Sequence, residues 1–230
     1  MATKPSILIT GANRGIGLGL AGHFAGLGWQ VHATARKPDA AHKLHALPNV
    51  SVHQLDIANE GSILELVDEL NGIPLDVVFN NAGIAASKSS AELGQSTKAD
   101  WEEILAVNTI GPYLLAERLV ANLLEGTKRL LINTSSQLGS FKVADTKWDP
   151  LYSVSKAALN MAILHLSQEL GPQGIAVVAV HPGWVQTDMG GSGADITVAE
   201  SVAGLSALVE KLTLKDNGSF YAWNGKPMSW

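Results

Sequence analysis

Apolar residues along this chain come in short blocks separated by longer stretches of helical periodicity. The blocks at Ile7–Thr10, Val31–Ala35, Val50–Leu55, Leu75–Phe79, Arg129–Thr134 and Ala176–His181 have strand length, and a shorter one lies near Ser219–Trp223. Several are apolar at consecutive positions, so both of their faces must be covered. Helical periodicity fills 15–28, 60–71, 100–124, 152–170 and 197–212. Strand alternating with helix predicts an α/β fold, a doubly wound parallel sheet with helices on both faces. Such sheets bind ligands beyond the carboxyl ends of their strands. The residues just after each strand are therefore where chemistry should gather.

The chain has 230 residues. No Pro/Gly/Ser-rich linker, charge block, repeat or low-complexity segment divides it, so residues 1–230 are expected to form one domain. There is no cysteine, which excludes disulfides and thiolate chemistry. The N-terminus lacks a charged-then-apolar leader, and no apolar run has the length to span a bilayer. A cytoplasmic protein without a membrane partner is expected. The formal net charge is -5, with the cations scattered, which argues against nucleic acid as a partner. Three N-x-S/T triplets, at Asn49, Asn133 and Asn217, read as chance.

The first strand runs into TGANRGIG, Thr10–Gly17, and then a helical run. Glycines let the backbone approach a phosphate closely, and a helix N-terminus presents unpaired N–H groups and partial positive charge. The glycine spacing, G-x-x-x-G-x-G, departs from the common G-x-G-x-x-G fingerprint, and taken alone it also fits an ordinary tight turn. The end of the second strand sharpens the choice. Dinucleotide sites that take NAD carry an acid there for the ribose hydroxyls. Here Thr34-Ala35-Arg36-Lys37 stands instead. Arginine grips a phosphate with a planar fork of donors. Arg36, with Arg14 reaching from the glycine loop, predicts NADP(H); the alternative is a pair of solvated surface charges. Asp56, ending the third strand, is placed either to accept from an adenine amino group or to cap the next helix.

Tyr152 and Lys156 are one turn apart on a helix and share a face. A free tyrosine titrates near 10; a nearby ammonium favours the phenolate and is expected to lower that value. Such a tyrosine can donate a proton to a carbonyl oxygen and recover it in reverse. Asn108 lies in a helical run with Pro112 four residues on. Proline has no N–H for the carbonyl of Asn108, so an open acceptor and a kink are expected.

TGANRGIG, NNAG (Asn80–Gly83), Asn108, NTSS (Asn133–Ser136), YSVSK and HPGWVQTDMGG (His181–Gly191) occur in this order. Together they resemble the short-chain dehydrogenase/reductase family over nearly the whole chain, and that family's own glycine spacing is the one seen here. More narrowly, PGWVQTDMGGSGA, TVAESVAG and the Gly-x-Pro-x-x-Trp ending resemble the sniffer and C-factor branch, which fungal ketoreductases similar to norsolorinic acid ketoreductase share. The resemblance implies a Rossmann-type fold and an NADP(H)-dependent ketone or aldehyde reductase, reversible toward secondary alcohols. It implies that Tyr152 is the general acid, that Lys156 holds the nicotinamide ribose and tunes Tyr152, and that Ser136 binds the substrate carbonyl, with Ser135 as the fallback. The backbone carbonyl of Asn108 would hold a proton-relay water. Cofactor contacts would come from Gly11, Asn13, Arg14, Gly15, Ile16, Gly17, Arg36, Asp56, Ile57, Asn81, Ala82, Gly83, Tyr152, Lys156, Pro182, Gly183, Val185 and Thr187. A dimer or tetramer through the helices near 100–124 and 152–170 would match their surplus apolar faces.

Competing readings are an NAD-dependent dehydrogenase of the same fold and a nucleotide sensor with little turnover. His42 and His45 lack a third ligand, so no metal is expected. His181 reads as structural. Trp148 and Trp184 are placed to wall a pocket or to pack in the core, and the short segment from Thr187 to Thr197 suggests an open lid.

Overall fold

The computed structural model describes residues 4–86, 90–143 and 149–230. Seven strands form one sheet: β1 (Ser6–Ile9), β2 (Gln30–Ala35), β3 (Val50–Gln54), β4 (Val77–Asn80), β5 (Leu130–Thr134), β6 (Ala176–His181) and β7 (Phe220–Ala222). Their order is β3-β2-β1-β4-β5-β6-β7, and every pairing is parallel. Alternation of side chains along each strand divides the core into two layers. On one side Ile7, Ile9, Val31 and Phe79 pack with α1 (Gly15–Gly26) and α8 (Val198–Lys211). On the other, Leu8, Val78, Leu131 and Val177 pack with α3 (Glu60–Glu69), α5 (Gly111–Arg118) and α7 (Pro150–Leu170). The near-continuous apolar strands follow from this double covering. The sheet therefore has the Rossmann-type doubly wound form that the alternating pattern predicts. A one-turn α2 (His42–His45) precedes β3, and α4 (Lys98–Leu105) and α6 (Val120–Glu125) flank α5.

Most expected elements coincide with observed ones to within two residues. The stretch 100–124 does not form one helix. It begins at Lys98, where Thr97 and Asp100 make a reciprocal capping box. It then passes through a π turn, Ala106–Ile110, into α5. The Gly111 N–H bonds the carbonyl of Ala106, five residues back, and Pro112 has no N–H to restore the α pattern. The expected kink is thus a wide turn centred on Asn108. The cap on α3 is Asn59, whose side chain accepts the Ser62 N–H at 3.0 Å. Asp56 instead takes the N–H of Ala58 in the turn before that helix.

Candidate active site

The carboxyl ends of the strands open into a cleft of about 1260 Å³. It runs from the end of β2, across the glycine loop between β1 and α1, to the start of α7.

The glycine loop is fastened by its own hydrogen bonds to the neighbouring strand ends. The Gly11 N–H donates to the Thr34 hydroxyl at 3.2 Å and the Ala12 N–H to the Thr34 carbonyl at 2.9 Å. The Thr10 hydroxyl accepts the N–H groups of Asn81 and Ala82, and the Asn81 amide donates back to the carbonyls of Thr10 and Gly11. Gly11 and Gly15 have φ of 63° and 55°, where a side chain is strained. Gly17 has a different task. A Cβ there would come 2.6 Å from the Gly11 carbonyl oxygen and 2.7 Å from the Asn81 amide nitrogen. It permits close packing of α1 under the loop, and it does not line the cleft, whereas Gly11, Asn13, Arg14, Gly15 and Ile16 do.

Four cations line the end of the cleft beyond β2: Arg14, Arg36, Lys37 and Lys43. Lys43, on α2, carries no sequence signal because its placement depends on how that short helix packs against α1 and β3. Asp39 lies in the same stretch but outside the lining. Arg14 is engaged already: its guanidinium meets the Asp188 carboxylate at 2.6 Å across the mouth. Asp56 and Ile57 line the wall beyond β3.

At the other end, Asn81, Ala82, Gly83, Tyr152, Lys156, Pro182 and Thr187 line the cleft. Gly183 and Val185 are not among its walls. Gly183 packs against Ile196 and Trp223, and Val185 is buried in a bridge with Ile196. Gln186, Asp188 and Met189 take their place in the lining. Trp184 is 41% exposed and its indole N–H donates to the Gly190 carbonyl at 2.9 Å. Trp148 lies outside the described residues.

The structure brings Ser136, Tyr152, Lys156 and Asn108 together. Ser136 caps a short 3-10 turn, its hydroxyl accepting the Leu138 N–H at 3.1 Å, and its side chain also hydrogen-bonds Tyr152. Ser135 faces away: fully buried, it donates to the Asn160 amide oxygen at 2.5 Å. Asn108 is fully buried. Its side chain accepts the Ile84 N–H at 2.9 Å and donates to the Ile84 carbonyl at 2.8 Å and the Ser155 hydroxyl at 3.0 Å. It thereby joins the π turn, the loop after β4 and α7.

The acidities differ from the sequence expectation. Burial pushes the Tyr152 phenol up to about 12; the Ser136 hydrogen bond opposes this and the Asp149 carboxylate adds to it. The expected lowering by Lys156 is absent because desolvation dominates. The Lys156 ammonium lies 5.6 Å from the ring centroid and donates to the Thr134 carbonyl at 2.8 Å. Burial brings Lys156 itself down to about 8. Below pH 8 the folded protein bears the cost of a buried ammonium. Between about 8 and 10.5 the folded state is neutral while the unfolded state still binds the proton, so stability rises with pH. Lys156→Met is expected to abolish this rise; urea titrations of both proteins across that range measure it.

His181 is half-buried, and desolvation lowers its pKa to about 4, so it stays neutral at pH 7. His45 bonds the Pro38 carbonyl at 3.1 Å. Among the described residues, no group of three or more His, Cys, Asp or Glu side chains is arranged to hold a metal. Nor is any helix among them long and apolar enough to cross a membrane.

Comparison with known proteins agrees with this geometry. The family model for short chain dehydrogenase matches residues 5–195. The C-signal protein of Myxococcus xanthus is 34% identical over 157 residues, covering 68% of this chain and 93% of that protein. The carbonyl reductase Sniffer of D. melanogaster superposes with a TM-score of 0.90 at 35% identity, covering 99% of this chain and all of that one. The NADPH-bound carbonyl reductase from chicken fatty liver gives 0.89 at 36% identity, with both chains covered completely.

Proposed function

Because the chain belongs to the short-chain dehydrogenase/reductase family and is therefore an oxidoreductase acting on a small molecule, we propose that it is an NADP(H)-dependent carbonyl reductase working as a single domain. The observation that carries this is the juxtaposition, in one cleft, of four cations at the adenosine end with the Ser136–Tyr152–Lys156 cluster at the other. The relatives named as carbonyl reductases, one with NADPH bound, support the same assignment.

The cleft fits the cofactor on its own evidence. Gly11 and Gly15 leave room for a diphosphate against the loop backbone, and the α1 N-terminus faces it. Arg14, Arg36, Lys37 and Lys43 offer a 2′-phosphate several donors, and the end of β2 carries Arg36-Lys37 where an NAD site would carry an acid. Asn81, Ala82 and Gly83 would wall the nicotinamide half, with Pro182 and Thr187 opposite. Bound there, the cofactor supplies the hydride.

The remaining steps belong to the chain. Ser136 orients the substrate carbonyl oxygen toward the tyrosine hydroxyl. Ser136 suits this role better than Ser135, whose hydroxyl is committed to Asn160. Tyr152, a phenol throughout the neutral range, gives its proton to that oxygen as it becomes an alkoxide. Lys156 stands beside the ring to restore the proton, and Asn108 holds the π turn whose open carbonyl would carry a relay water. Apolar side chains exposed on α7 and on the π turn, Met161, Val154 and Ile110, support self-association through this side of the molecule.

The test is reduction of a panel of ketones and aldehydes by the purified protein, followed as loss of reduced nicotinamide. Tight cofactor binding with no turnover on any of them would favour the sensor reading instead.

A further inference from the structure

The segment leading into α7 ends in a residue that the reaction scheme above does not use. The Asp149 carboxylate has three backbone donors. One oxygen accepts the N–H groups of Leu151 and Tyr152, at 2.9 and 3.1 Å, as the N-cap of α7. The other accepts the Ala86 N–H at 2.9 Å. Ala86 lies three residues beyond Gly83, on the loop that leaves β4 and walls the cleft through Asn81–Ile84. The same carboxylate therefore grips the backbone of Tyr152 and the loop against which the nicotinamide half of the cofactor would rest.

We propose that Asp149 is a positioning residue for hydride and proton transfer: its two carboxylate oxygens lock the Tyr152 turn of α7 to the cofactor-side loop after β4. An ordinary N-cap needs one acceptor oxygen, and serine, threonine or asparagine supplies it as well as aspartate does. The second oxygen, aimed out of the helix at Ala86, is what capping alone leaves unexplained. A neutral cap at this place would satisfy the helix and release the loop. Asparagine would set its amide donors against the Ala86 N–H.

The carboxylate has a second effect on the same tyrosine. Its negative charge opposes ionisation of Tyr152, in the same direction as burial. Among the described residues, the charged side chains placed about Tyr152 are Asp149 and, on the opposite side of its helix turn, Lys156. Ser136 contributes a hydrogen bond and no charge. Removing the Asp149 charge should therefore let Tyr152 ionise at lower pH. Fixing the distance between proton donor and hydride acceptor to within an ångström is worth large factors in rate, so slack in this link should appear in turnover more than in binding.

The inference rests on the proposed role of Tyr152, and the experiment separates the two. Asp149→Asn and Asp149→Ser both retain a cap for α7, and both are compared with the parent protein and with Tyr152→Phe. The expected result is a fall in kcat of about 10- to 100-fold with the Kd for NADPH within about twofold of the parent. The alkaline limb of the pH profile for alcohol oxidation should move to lower pH in both variants, and Asp149→Glu should recover part of the rate. A parental kcat and pH profile in Asp149→Asn, with Tyr152→Phe inactive, would overturn the positioning role and leave the proposed function standing. Loss of rate in step with loss of thermal stability, with the pH profile unmoved, would also overturn it, marking Asp149 as a cap only. Undiminished turnover in Tyr152→Phe would instead remove the proposed function beneath it.

Discussion

Tyr152→Phe is expected to lower carbonyl reduction by about 10²- to 10⁴-fold, the usual span for losing a positioned general acid. The change removes one oxygen and keeps the ring, so the fold and the cleft wall should survive. NADPH binding should hardly change, because the expected loss falls on the transition state alone. The cause is the stretch of charge onto the carbonyl oxygen as the hydride arrives. Without a phenol beside Ser136, only the serine hydroxyl and more distant solvent can meet that charge. The high acidity constant adds a directional signature. With Tyr152 protonated up to about pH 12, reduction should stay level across neutral pH. Oxidation of the alcohol needs the phenolate and should climb with pH through the alkaline range. Steady-state rates in both directions, with cofactor affinity measured separately by fluorescence, check this. A phenylalanine variant with parental turnover would end the assignment of Tyr152.

The second large effect concerns cofactor choice. Arg36→Ala is expected to weaken NADPH by about 10- to 100-fold, equivalent to about 1.5–3 kcal/mol for hydrogen bonds to a charged group. NADH, which lacks the 2′-phosphate, should bind the variant as it binds the parent. Arg14→Ala should cost less, because the paired Asp188 carboxylate offsets part of the Arg14 charge. The double variant should fall short of the sum, since the two cations would share one dianionic group. Calorimetric titration with both cofactors decides the matter. Equal losses for NADPH and NADH would show that these arginines act on the diphosphate or the loop and not on the 2′-phosphate. A parent protein preferring NADH would overturn the NADP(H) proposal itself.

The parallel sheet, its flanking helices and the main walls of the cleft were legible in the chain because each rests on local regularity: apolar runs, turn glycines and a Tyr-x-x-x-Lys pair one helical turn apart. What stayed hidden is non-local. Lys43 reaches the cleft through the packing of α2 against α1 and β3. Asp188 meets Arg14 across 174 positions of sequence. Asp149 belongs to no motif, and its partner Ala86 lies 63 positions away in the chain. The acidity of Tyr152 went the other way from the expectation for a related reason. Sequence spacing announces a neighbouring ammonium, whereas the extent of burial, which dominates here, depends on packing from the whole sheet end. That the Ser135 hydroxyl is held by Asn160, one turn beyond Lys156, likewise shows only in the fold. The packing of Gly17 against the Gly11 carbonyl and the bridge between Val185 and Ile196 are likewise contacts that only the fold reveals.

The fastening of the glycine loop by Thr10, Thr34 and Asn81 bears on the thermodynamics of ligand capture. A loop that orders only on contact would draw its conformational entropy loss from the binding free energy. Here that loss is settled when the protein folds, because the loop's own amides and carbonyls are bonded into the ends of β1, β2 and β4. The interactions a dinucleotide makes with this loop should therefore register almost undiminished as affinity. They should also register as added resistance to unfolding, in proportion to the logarithm of ligand concentration over its dissociation constant.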